Sequence, residues 1–128
     1  MKMMRVSRQF VESVIVTCVE GGVSNCWAVF SWYRPEAEEA TVTLRVRKDE
    51  WEDGIRSGEF LAGETGIYRV TAETIRQGVN LILSGETDLP LETVRAYARE
   101  WRRSDFDFGS IESDLILQAG VFGRIIFG

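Results

Sequence analysis

The residues Glu20-Gly21-Gly22-Val23-Ser24-Asn25-Cys26-Trp27 set a carboxylate, a glycine pair, an amide and an indole within one short stretch. That is recognition chemistry. An indole such as Trp27 can stack a base or ring, Glu20 and Asn25 can read polar edges, and the exposed N–H groups of Gly21 and Gly22 can face an anion. Arg124, near the other end of the chain, offers a guanidinium that can neutralise phosphate. Neither GxxxxGK[ST] nor GxGxxG is present, so no phosphate-loop or dinucleotide fingerprint accompanies these groups.

Catalytic combinations are few. The chain has no histidine, which removes Ser-His-Asp, Cys-His and His-metal arrangements together. Asp105 and Asp107, two apart across Phe106, fall on one side of an extended segment and could hold a divalent ion or share a proton. No third ligand is identifiable, and the competing reading is a polar edge anchored by Phe106 and Phe108. Cys18 lies on an apolar helical stripe as a small core side chain, and Cys18 with Cys26 is a weak basis for a disulfide. The residues therefore predict no catalytic group, no metal and no cofactor.

Charge narrows the partners. A net charge of −5 argues against a general grip on nucleic acid. Arg95, Arg99, Arg102 and Arg103 crowd one segment, but Glu92 and Glu100 share it, as on a solvated helix face with intrahelical pairs. No apolar run approaches the ~20 residues that span a bilayer, and the N-terminus lacks a long apolar leader core. A cytoplasmic protein with no membrane contact is expected.

The elements that must position these groups follow from periodicity. Ser7 caps a helix in which Phe10, Val11, Val14, Ile15, Cys18 and Val19 share a stripe, ended by Gly21-Gly22. Cys26 to Tyr33 reads as a strand. Ala40 to Arg47 alternates, with Val42, Leu44 and Val46 on one face and Thr41, Thr43, Arg45 and Arg47 on the other, which predicts a sheet covered on one side. Trp51 to Gly66 reads as an irregular, glycine-broken excursion. Gly66 to Val70 is a further strand. Thr71 caps a helix through Ile75, Val79, Ile82 and Leu83 to Ser84-Gly85, with Gly78 inside it marking close packing or a weak spot. Pro90 opens another helix, carrying Val94, Ala98 and Trp101. Ser110 caps a last one, with Ile111, Leu115, Gln118, Ala119 and Phe122 on one side, ended by Gly120 and Gly123. Arg124 to Phe127 is short and branched enough for a final strand.

At 128 residues with 45% apolar content, this order predicts a single α+β domain over 1–128. Its sheet, antiparallel or mixed, would have three to four strands, with helices packed on one face. Aromatics on both sheet faces, Trp27 and Tyr33 against Phe30 and Trp32, predict that the uncovered face meets a ligand or a second subunit. A two-fold homo-oligomer with Trp32 or Trp27 near its interface is the simplest form.

The two end segments resemble an uncharacterised family of small proteins from bacteriophages and prophages. Its members show a helix ending in an acidic residue and a Gly pair followed shortly by Tyr-Trp, here Glu20-Gly21-Gly22 and Asn25-Cys26-Trp27. They finish on an Asp-rich turn, an apolar helix and an Ala-x-Phe-Gly-Glu-type ending, here Asp105, Asp107, Asp114, Gln118, Val121-Phe122-Gly123-Arg124 and Phe127-Gly128. Cys26 stands in place of Tyr and Arg124 in place of Glu. The resemblance implies a phage setting, in the cytoplasm of a bacterial host. By analogy it implies a non-catalytic counter-defence protein that sequesters a nucleotide-like small molecule through Glu20, Gly21, Gly22, Asn25, Trp27 and Arg124. The alternative is an anti-CRISPR-like inhibitor that contacts a host defence complex.

Overall fold

Ser7 starts the first helix by accepting the Phe10 N–H at 3.1 Å, which satisfies one of the four N–H groups a helix start leaves unpaired. In the computed structural model, which describes residues 6–34, 41–90, 92–96 and 109–128, this helix, α1, runs Arg8–Glu20 and buries Phe10, Val11, Val14, Ile15 and Cys18. A 3-10 turn at Ser24–Cys26 leads into β1, Ala28–Arg34. β2 is Thr41–Val46, α2 is Lys48–Ser57, β3 is Ile67–Val70 and α3 is Ala72–Ser84. Residues 92–96 are helical, and α4 is Ser110–Phe122. No described helix is long and apolar enough to cross a membrane.

The fold is α+β. The three strands form one antiparallel sheet in the order β1-β2-β3, and the helices supply its cover on one face. Register explains which face. Ala28 opposes Val46, Phe30 opposes Leu44, and Val42 opposes Val70; these residues belong to or pack against the core built with α1, α3 and α4. The alternation read from Val42, Leu44 and Val46 therefore holds residue for residue. The opposite face carries Val29, Ser31, Thr43, Arg45, Ile67 and Arg69.

Five expectations are corrected by the structure. Trp51 to Gly66 is not wholly irregular: α2 forms because Asp49 and Glu50 favour a helix N-terminus and Trp51 and Ile55 lie one turn apart. Gly54, read as a breaker, sits inside α2, where an added methyl would overlap the Phe60 ring. Gly120 does not end α4; it and Gly78 let α3 and α4 approach so closely that a Cβ at either would strike the other helix's backbone, at Thr74 and Ile116 respectively. The buried side of α4 is Ser113, Asp114, Ile116, Leu117, Gln118 and Ala119, while Ile111 is 64% exposed. Finally, Arg124 to Phe127 joins no strand ladder. Ala98, Trp101 and the Asp105 to Phe108 segment lie outside the described residues.

Candidate functional site

The two end segments meet on Asp114. Its Oδ1 accepts the Ser24 hydroxyl at 2.6 Å and the Trp27 indole N–H at 2.8 Å, and its Oδ2 accepts the Gln118 amide at 2.8 Å. Gln118, one turn further along α4 and fully buried, then does the work of a missing strand neighbour. Its Oε1 accepts the N–H groups of Ile126 and Phe127 at 2.9 and 2.8 Å, and its Nε2 donates to the Phe127 carbonyl at 2.9 Å. One side chain thus satisfies three backbone groups of the closing segment, which accounts for its ordered path without a ladder.

Ring packing completes the clamp. Trp27 stacks on Phe127 with centroids 4.8 Å apart and planes 10° from parallel, and meets Phe122 at 5.5 Å. Phe60 links this group to α2 by stacking on Trp51 at 4.5 Å. Cys18 lies beside the cluster and donates to the Ser113 carbonyl at 3.4 Å. Burial first, and the nearby Asp114 carboxylate with it, push the thiol from 9.0 up to about 12, against a lowering contribution from Ser24. Such a thiol is not a nucleophile near neutral pH.

These partners define where each residue of the expected ligand set stands. Trp27 is 3% exposed, so its ring offers no platform to an incoming base; its flat face is taken by Phe127 and its N–H by Asp114. Glu20 ends α1 and is exposed. Gly21 closes that helix, donating to the Thr17 carbonyl at 2.6 Å, and Gly22 takes the left-handed conformation at φ 90°. Asn25 donates to the Val19 carbonyl at 3.2 Å, and its own carbonyl accepts Arg47 at 2.7 Å. The glycine pair and Asn25 thus turn the chain from α1 toward β1 and hold it there. Arg124 is exposed and bound to Glu59, 3.2 Å from its carboxylate and 2.6 Å from its carbonyl.

Arg124 lies instead on a cleft of about 510 Å³ with Glu59, Phe60, Tyr68, Phe122 and Ile126. Burial raises the Tyr68 phenol, Glu64 adds to the rise, and Arg124 offsets part of it. Arg124 and Glu59 both line this cleft and pair with each other there, so the cation is already matched. Among the described residues no group of three or more His, Cys, Asp or Glu side chains is arranged to hold a metal ion.

The second feature is on the outer face of the sheet. β1 and β2 slip register between Ser31 and Arg34, and within that bulge Trp32 adopts φ 54° and is 73% exposed. A bulky residue with positive φ is a genuine outlier that the surrounding structure must enforce. The bulge also revises the expected alternation: Phe30 and Tyr33 both pack against the core, and Trp32 is left outside. With Arg34, Thr41, Thr43 and Arg69 it borders a hollow of about 170 Å³, and Ile67, two strands away, is 53% exposed. Sequence reading placed Thr43 and Arg45 on this face through the alternation of β2. It gave Arg69 no role, and the bulge has no sequence signal because no glycine marks it.

No family model, curated protein or solved structure matches this chain.

Proposed function

We propose that this protein acts without catalysis, by holding a partner protein against the outer face of its sheet, and that in the phage setting implied by its end segments the partner belongs to a host defence complex. One observation carries the reading. Trp32 is held at positive φ and left 73% exposed on a face that also presents Ile67 and arginines. Tryptophan and arginine are the residue types that most often dominate binding energy at protein interfaces, and strain at an exposed aromatic points to use outside the fold. The rival reading, sequestration of a nucleotide-like molecule at Glu20 to Trp27, loses its stacking group, because Trp27 is spent on Phe127 and Asp114.

Native mass spectrometry combined with amide hydrogen exchange tests this on protein taken from the cell that makes it. The expected result is a stoichiometric protein complex that protects amides of β1, β2 and β3 and is lost in Trp32→Gly. A retained small molecule, or a complex indifferent to Trp32, would overturn it.

A further inference from the structure

Antiparallel pairing sorts the outer face into rows. Val29, Arg45 and Ile67 make one row, Ser31, Thr43 and Arg69 the next, and Arg34 stands opposite Thr41 beyond them. Every charged residue in the three strands is an arginine, although the whole chain carries −5. Arg34, Arg45 and Arg69 are exposed and make no ion pair among the described residues. Next to these cations lie an exposed indole and the exposed Ile67 side chain.

We infer that this face docks an extended acidic segment of the partner protein, its carboxylates paired with Arg45, Arg69 and Arg34 and an apolar side chain seated against Trp32. The inference rests on the partner-contact reading above and names the chemistry of the partner. Successive rows on one sheet face are two residues apart, roughly 6.8 Å, which is also the repeat of alternate side chains in an extended peptide. A guanidinium takes a carboxylate in a two-pronged bond that fixes orientation as well as charge.

Three other occupants fit less well. A second copy would bring arginine rows against arginine rows, a like-charge arrangement that opposes association. A single nucleotide is larger than the hollow of about 170 Å³ and would remain mostly in solvent, whereas ligand pockets enclose most of a ligand in ~300–1,000 Å³. Single-stranded nucleic acid calls for successive stacking rings. Here one indole is accompanied by the aliphatic Ile67 and Val29.

The probe is the peptide Glu-Ser-Glu-Ser-Glu-Ser-Leu, whose acidic and apolar side chains share one side when extended, titrated into the isotope-labelled full chain at low salt. The expected result is amide shifts confined to β1, β2 and β3, no shifts with the Lys-for-Glu twin, and at least about tenfold weaker binding in Arg69→Glu and in Arg45→Glu. Trp32→Gly separates the two readings. If it abolishes the contact while both charge reversals are silent, the face is used but its partner is not acidic; if all three variants are silent, both readings fall. Tighter binding of AMP or of an oligothymidine at the same amides, or concentration-dependent broadening of those amides without peptide, would also overturn the inference.

Discussion

Trp27 and Trp32 stand five residues apart in the chain and meet opposite surroundings. The first is enclosed by Phe122 and Phe127 and bonded to Asp114, so Trp27→Ala is expected to cost ~3–5 kcal/mol by removing a packed ring and orphaning a buried carboxylate contact. Denaturant unfolding measures it, and a loss below about 1 kcal/mol would mean that the indole is not a core member. Trp32→Gly should behave in the reverse way: glycine occupies φ 54° without a Cβ penalty, so stability should hold or rise slightly while partner contact is lost. Cys18 adds a pH signature. Its thiol is neutral in the fold up to about 12 but ionises near 9.0 when unfolded, so between these values the native state holds the extra proton and stability falls as pH rises. The slope attributable to this one group should approach the order of 1 kcal/mol per pH unit, and urea unfolding of wild type and Cys18→Ala across this range should differ by it. Equal slopes would place the thiol in contact with water.

At the scale of elements, what was legible were the parts governed by local rules. The Ser7 cap, the α1 stripe and the alternation of β2 each depend on near neighbours in sequence, and each stands where periodicity put it. The parts that were not legible depend on distant atoms. Gly54 looks like a breaker until the Phe60 ring is seen to need its missing side chain, and Gly120 looks like a helix end until Thr74 is found against it. The polar residues on the buried side of α4 defeated a hydrophobic count, because Asp114 and Gln118 are buried by partners on α1's exit turn and on the chain end. The surroundings of the candidate ligand set are illegible for the same reason: the partners that occupy Trp27, namely Phe127 and Asp114, and the one that holds Arg124, Glu59, are all distant in sequence. One substitution tests the close approach of α3 and α4. Gly78→Ala, which gains helix propensity of ~1 kcal/mol, should nonetheless destabilise, by ~1–3 kcal/mol, because its methyl must displace the Ile116 backbone. A raised melting temperature in this variant would show that α3 and α4 separate at no cost.

For the whole molecule, the decisive property is where the charge sits. Acidic residues outnumber basic ones 20 to 15, yet the strands hold only arginines as charged groups, so the weakly acidic molecule carries a basic, partly apolar face on its sheet. Association through that face is then a contest between Trp32 and Ile67, which favour contact, and the arginines, which oppose contact with a like surface. At low ionic strength the Debye length is ~30 Å at 0.01 M, long enough for the arginines of two approaching copies to repel across the whole face; at 1 M it is ~3 Å. The protein should therefore sediment as a monomer at tens of micromolar in low salt and self-associate, if at all, as salt rises, while Arg45→Glu should pair with Arg69 of another copy and self-associate more readily in low salt. An acidic partner shows the opposite salt dependence, weakening as ions screen its carboxylates. Sedimentation velocity of wild type and Arg45→Glu at both ionic strengths distinguishes the two cases. A wild-type dimer unchanged from low to high salt would make the face an interface between copies and remove the charge mechanism altogether.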